Sequence, residues 1–278
     1  APELIIAEAQ RLQTMGVREL VLISQDTTDY GHDLGMKNGL VQLLEKLVTA
    51  APDIPWIRIM YAYPGYVTDE LIEAMARHPQ ILPYLDMPLQ HGHSQTLKRM
   101  KRPANLEWVH GTIQKMRAAI PGLAIRSTFI VGYPGETEAE FQTLLDFVGS
   151  LRFDRVGVFK FSFETKTSSE PLGDPIPQPV KAERLRRLME MQERISLQRN
   201  QEFVGQTLDV LVEGTGDGLS VGRSYRDAPE IDGVVIVEDE LAVGEITPVR
   251  ITGAMVHDMT ASPASSNPEV RGVQPRSP

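Results

Sequence analysis

The chain has 278 residues, of which 41% are hydrophobic and 23% charged, enough apolar material for a sizeable core in one large domain or a large and a small one. No apolar run approaches the ~20 residues of a membrane helix, and the N-terminus opens on an amphipathic pattern rather than a signal peptide, so the expected location is cytoplasmic. There is no cysteine, which excludes disulfides, a thiolate nucleophile and any Cys-ligated iron–sulfur cluster held by this chain. The net charge of −9 is uneven: residues 202–260 carry three basic side chains (Arg223, Arg226, Arg250) against 12 acidic ones. An acidic C-terminal module repels phosphate backbones and suits a basic partner, although acidity also serves plain solubility.

Residues 3–15 repeat apolar positions at helical spacing, with Gly16 as a stop. Residues 17–23 read as a buried strand ending in the polar cluster 24–28. Leu40, Leu43, Leu44, Leu47 and Val48 mark a second helix and residues 56–60 a second strand. Thr68 is placed to cap a helix over 69–77, and residues 81–87 form a third strand. Asn105 is placed to cap a helix through Ala119. Residues 125–131 are β-rich and break at Gly132-Tyr133-Pro134-Gly135; Thr137 with Glu140 three residues later is a capping-box pattern that starts a helix to about residue 150. Residues 155–161 give a fifth strand. This alternation predicts an α/β protein with a parallel sheet. A parallel repeat should begin on a strand, so a further strand is expected upstream of the opening helix.

Residues 162–180, rich in Ser and Pro, read as a loop, and residues 181–200 as a charged helix with Leu185, Leu188, Met191 and Ile195 on its apolar face. From 206 to 259 the pattern changes to four or five short strands, expected to pair antiparallel as a small closed barrel, with a Gly-rich turn over 214–218. The predicted domains are 1–200 and 201–260, followed by a disordered Ser/Pro-rich tail, 261–278.

Parallel barrels place working residues at the C-terminal ends of strands. Those ends carry Gln25 and Asp26, residues 61–63, Gln90 and His91, Gly132 with Glu136, and residues 160–162, a set able to hold a zwitterionic ligand. The Gly132 turn also offers free backbone N–H groups where α/β proteins bind ligands. Plain structural roles compete: Asp26 as a turn residue, Arg126 in an ion pair, His91 as a buried hydrogen-bonded ring. His91 and His93 lack further ligands at metal spacing, so no metal site is expected.

Four stretches carry a resemblance: residues 20–31 (LVLISQDTTDYG), 85–92 (LDMPLQHG), 126–141 (RSTFIVGYPGETEAEF) and 222–235 (GRSYRDAPEIDGVV). In that order they resemble the radical S-adenosylmethionine (radical SAM) methylthiotransferases, in the branch that modifies an aspartate β-carbon of a small-subunit ribosomal protein. The resemblance spans about residues 2–260. It implies a partial (β/α) barrel of the radical SAM type, missing its first strand, followed by a small TRAM-like β-barrel. It implies S-adenosyl-L-methionine and two 4Fe–4S clusters as cofactors. The family's cluster cysteines follow the first strand, so the missing strand and the missing cysteines read as one truncation, and the chain alone is expected to be inactive.

Carried over, Gln25 and Asp26 fall at the methionine end of the cofactor and Gln90 at its ribose. Arg126 becomes a candidate partner of its carboxylate, and Ile130 and Gly132 flank the adenine. His93-Ser94 stands where the family usually has Ser-Asp. The predicted partner is the ribosomal protein, with or without the ribosome, contacted by the loop holding Tyr225, Arg226, Asp227 and Glu230. Neither tRNA nor membrane is expected. The competing readings are a tRNA-modifying methylthiotransferase, against which stand the acidic module and the 20–31 segment, a non-catalytic binding remnant, and a phosphate-binding barrel enzyme, against which stands the lack of a Gly-rich phosphate loop after the last strands of this chain.

Overall fold

A computed structural model describes residues 1–264; the predicted disordered tail from residue 265 onward lies outside the described residues. The first part alternates α1 (Pro2–Thr14), β1 (Glu19–Leu22), α2 (Gly39–Ala50), β2 (Trp56–Ile59), α3 (Asp69–Arg77), β3 (Ile81–Asp86), α4 (Ser94–Arg99), α5 (Leu106–Ala119), β4 (Ala124–Val131), α6 (Glu138–Leu151) and β5 (Arg155–Lys160). The five strands pair in parallel in sequence order, so each connection crosses over through its helices. The capping signals act as read: Thr68 accepts from Leu71 N–H, Asn105 from Trp108 N–H, and Thr137 and Glu140 form both bonds of the capping box. The short α4 carried no sequence signal long enough to read.

In β4 the two-residue period sorts side chains to opposite faces. Ile125, Phe129 and Val131 pack into the core beneath the helices, while Arg126, Thr128 and Ile130 lie half-buried on the opposite face. The core also gathers Leu44 and Leu47 of α2, Ile57 and Ile59 of β2, and Phe141, Leu144 and Val148 of α6, all fully buried.

Helix α7 (Gln178–Gln201) follows. Leu188 and Ile195 are buried as expected, but Lys181, Arg184, Gln192, Ser196 and Asn200 share the buried side. Each has a partner at the end of another element. Lys181 donates to Phe161 O (2.9 Å), Arg184 to Glu136 O (3.2 Å), Gln192 to Phe153 O (2.9 Å) and Ser196 to Asp154 O (3.1 Å). Buried polar groups must find partners, and α7 crosses strand ends and turns where carbonyls are free.

The second domain is a closed barrel of β6 (Thr207–Gly216), β7 (Leu219–Ser224), β8 (Val235–Val237), β9 (Ile246–Ala254) and β10 (Met259–Pro263), around Val210, Val235, Val249, Ile251, Met259 and Ala261. Two expectations are corrected. The barrel is not wholly antiparallel, because β10 closes onto β8 in parallel. The turn is not 214–218: β6 runs to Gly216 and only Asp217 and Gly218, at φ 54 and 78, make the hairpin. Strand β10 also carries the domain to Pro263, three residues past the expected boundary.

The two domains meet across the sheet face opposite the helices, through an apolar cluster that sets Trp56, Leu82, Tyr84 and Ala124 against Leu211 and Ala228, and through charge. Arg58 of β2, with no exposed surface, donates from Nε to Glu19 (2.6 Å) and from Nη1 to Tyr225 O (2.8 Å). Arg223 reaches the other Glu19 oxygen (2.7 Å), Arg155 pairs with Asp227 (2.6 Å), and Arg226 pairs with Asp154 (3.1 Å).

Candidate functional site

Toward the C-terminal ends of the strands, beside the domain joint, lies a cavity of about 390 Å³, bordered by Gln25, Tyr61, Ala62, Tyr63, Pro88, Gln90, Arg102, Arg126, Thr128, Phe159 and Ile231. Its volume falls in the ~300–1,000 Å³ range of small-molecule sites. Two of its residues are held in left-handed backbone conformations without being glycine, Tyr61 (φ 55) and Gln90 (φ 70). Such conformations cost of order 1–3 kcal/mol each and gather at functional sites. Gln90 is locked there by β4: its N–H donates to Thr128 O and its carbonyl accepts from Ile130 N–H, both at 2.8 Å.

The cavity unites three of the six residues expected to hold a cofactor: Gln25, Gln90 and Arg126. Ile130 borders an adjoining cavity of about 290 Å³ that shares Gln90, Arg102 and Phe159. Asp26 and Gly132 border neither. The Asp26 carboxylate accepts from Thr28 N–H (3.0 Å), Thr28 Oγ1 (2.6 Å) and Asp29 N–H (3.2 Å), the bonds of a turn residue.

The N–H groups of the Gly132 turn are not free. Glu136 accepts from Gly132 N–H (2.6 Å) and Tyr133 N–H (3.1 Å). A Cβ at position 132 would overlap the Lys181 side chain, and φ is +74, so Gly132 answers to packing and backbone geometry.

Arg126 reaches the cavity, but its charge is already matched. Nη1 donates to Asp86 (2.9 Å) and Thr128 Oγ1 (3.3 Å), and Nε lies 3.4 Å from Asp232 of the small barrel. Burial opposes its charge, yet Asp86 and Asp232 more than offset that and hold its pKa above the ordinary value. Asp232 is fixed in turn by Tyr84 OH (2.7 Å) and Ala228 N–H (2.9 Å).

His91 is fully buried; its Nδ1 accepts from His93 N–H (3.0 Å) and its Nε2 lies 3.9 Å from Glu136. Burial drives its pKa down to about 3, so the ring is neutral near pH 7. Among the described residues, no three His, Asp or Glu side chains gather as a metal site.

The expected partner loop is corrected by burial. Arg226 and Asp227 are each 1% exposed and belong to the joint between domains, and Tyr225 OH donates to Gly122 O (2.8 Å). Of the four, Glu230 alone is exposed. Sequence reasoning took an Arg–Asp pair after Tyr for a surface anchor because nothing local distinguishes an intramolecular joint from an interface. It also passed over Thr128, Phe159 and Arg102. The two-residue period of β4 places Thr128 on the same face as Arg126 and could have found it; the 59% exposure of Phe159 on a strand has no sequence signal.

The residues fit a zwitterionic nucleoside ligand such as S-adenosylmethionine: Gln25, Gln90 and Thr128 offer hydrogen bonds, and Tyr61 and Phe159 offer aromatic faces. They do not fit an iron–sulfur cluster ligated by thiolates, since the sequence has no cysteine.

Comparison with known proteins places this geometry. Residues 204–263 match the TRAM domain model. The ribosomal protein uS12 methylthiotransferase RimO of Roseiflexus sp. strain RS-1 is 51% identical over 260 residues, covering 92% of this chain and 55% of the relative. That of Chloroflexus aurantiacus is also 51% identical, covering 92% and 57%. The chain thus spans about half the length of the curated relatives it matches. Escherichia coli coproporphyrinogen III oxidase (HemN), described as a radical SAM enzyme, superposes with a TM-score of 0.51 at 16% identity, over 72% of this chain and 47% of that one, a likeness of fold alone. With residues 1–148 matching the family model itself, the chain belongs to the radical SAM superfamily.

Proposed function

We propose that this chain is the cofactor-binding and substrate-recognising part of a methylthiotransferase that modifies an aspartate β-carbon of the small-subunit ribosomal protein uS12. The cavity at the strand ends holds S-adenosylmethionine, with Gln25 and Gln90 hydrogen-bonding its polar groups and Ile130 beside its purine. When bound, that cofactor would supply the radical chemistry that opens a C–H bond. This sequence offers no thiolate to the superfamily's 4Fe–4S cluster. By itself the chain binds but does not turn over. The work of its own residues is to position the ligand and to exclude water around it.

The observation that carries the reading is the charge of the small barrel. Of its three arginines, Arg223 and Arg226 are buried against carboxylates, leaving Arg250 as the one exposed basic side chain of residues 202–264. Nine carboxylates remain exposed there, among them Asp209, Glu213, Asp217, Glu240 and Glu245. This surface opposes RNA and favours a basic protein. It therefore disfavours the tRNA-modifying relatives as a model and agrees with a ribosomal, cytoplasmic setting. Among the described residues no helix is long and apolar enough to cross a membrane.

The test is fluorescence anisotropy with labelled uS12 and, in parallel, labelled tRNA. Binding of uS12 is expected to weaken as salt rises above ~0.15 M, and reversing the exposed Asp209 and Glu238 to Lys is expected to weaken it further while raising RNA binding. Tight tRNA binding at that salt with no binding of uS12 would overturn the reading.

A further inference from the structure

The cavity has a wall that does not come from the superfamily domain. Ile231 stands in the loop between β7 and β8 of the small barrel, yet it borders the cavity together with Gln90, Arg126 and Phe159. Its side chain is 50% exposed, an unusual investment at this place, because the residue before it, Glu230, is held at φ 67.

The loop around it is rigid. Asp232 is tied to Tyr84 OH, Ala228 N–H and Arg126, and Gly233 packs so close to the His257 carbonyl that a Cβ would overlap it. A fixed loop in a strained conformation thus presents an uncovered isoleucine to a cavity. Single exposed apolar residues are ordinary on protein surfaces. Here three large ones, Ile231, Phe159 (59% exposed) and Tyr61 (46% exposed), converge on one space among hydrogen-bonding groups, as in a ligand site.

We propose that Ile231 is a binding residue for the adenosyl ligand of the large domain, so that the small barrel completes the cofactor cavity. The inference rests on the reading of that cavity as the S-adenosylmethionine site. Ile231 and Phe159 give the ligand's apolar surface dispersion contact and close the cavity toward the domain joint. Asp232, next in sequence, acts as a positioning residue by holding Arg126 at the same wall. Displacing the small barrel by a partner would then alter the cavity directly, without a relay through the large domain.

The experiment uses the full 278-residue chain with backbone amides labelled with nitrogen-15 and Ile δ1 methyl groups with carbon-13, titrated with S-adenosyl-L-homocysteine. The Ile231 methyl signal should shift on titration and show a nuclear Overhauser contact to ligand protons. Ile231→Ala should weaken binding about 3- to 10-fold, the loss expected when roughly half of an isoleucine is uncovered, and Ile231→Val less than about twofold. The half of the side chain buried without ligand makes Ile231→Ala cost some stability too, so Kd is read well below the urea midpoint, where the amide spectrum shows the fold intact and separates lost contact from lost fold. Shifts at Gln90 and Thr128 with an unmoved Ile231 methyl, or an unchanged Kd in Ile231→Ala, overturn the proposal and leave the cavity reading standing. No shift at any of these residues overturns both.

Discussion

Replacing Gly132 by alanine tests whether this turn is built for packing or for a ligand. Two penalties follow from the geometry. The backbone sits at φ +74, where a Cβ costs about 1–2 kcal/mol. The new methyl would also overlap Lys181 Cγ and lie 3.0 Å from Cδ. Lys181 cannot swing aside cheaply: it is fully buried, donates to Phe161 O and pairs with Asp174. Overpacking of this kind costs about 1–3 kcal/mol, so Gly132→Ala should destabilise by about 2–5 kcal/mol in urea unfolding followed by circular dichroism. Lys181→Ala removes the obstacle but leaves the backbone penalty. The double variant should therefore be less destabilised than the sum of the singles by about 1–3 kcal/mol, well above the ~0.5 kcal/mol scatter of independent sites. Additivity, or a loss below ~1 kcal/mol in Gly132→Ala, would refute the packing account and return the turn to the ligand.

Two further outcomes concern protons. Burial by itself would raise the pKa of Glu140, but the paired hydrogen bonds from Arg99 (3.0 and 2.9 Å) and the Thr137 N–H outweigh it and bring the carboxyl down to about 2. Its stabilising contribution is present above the unfolded value near 4.5 and lost as pH falls toward 2. In Arg99→Gln a carbon-13 titration should show the Glu140 midpoint rising, and a midpoint already near 4.5 in the unsubstituted protein would contradict the geometry. For His91, the unfolded chain takes up a proton below pH 6.5 that the buried ring refuses until about pH 3, so stability should fall across that window as pH drops. His91→Asn should flatten this limb of the urea midpoint against pH; an unchanged slope would exclude His91 as its source.

Local sequence was sufficient for the elements whose causes are local. The capping box at Thr137 and Glu140, the caps at Thr68 and Asn105, the β-rich run of β4 and the alternation of strands and helices depend on neighbours within a few residues. The strand ends that border the cavity were legible from the same alternation, because C-terminal ends are fixed once the strands are ordered in a parallel sheet. What the sequence could not decide was which charged and polar side chains face inward to other parts of the same chain. Arg226 and Asp227 looked like surface anchors, and Arg126 stayed open between an ion pair and a cofactor contact, because their partners Asp154, Arg155, Asp86 and Asp232 lie 40 to 106 residues away in the sequence. The polar buried side of α7 was hidden for the same reason: its partners are carbonyls at strand ends. Ile231 reaches the cavity through a joint between domains, and helical or strand periodicity holds no record of such a joint. Periodicity reports which side of an element is buried, whereas tertiary packing alone decides against what.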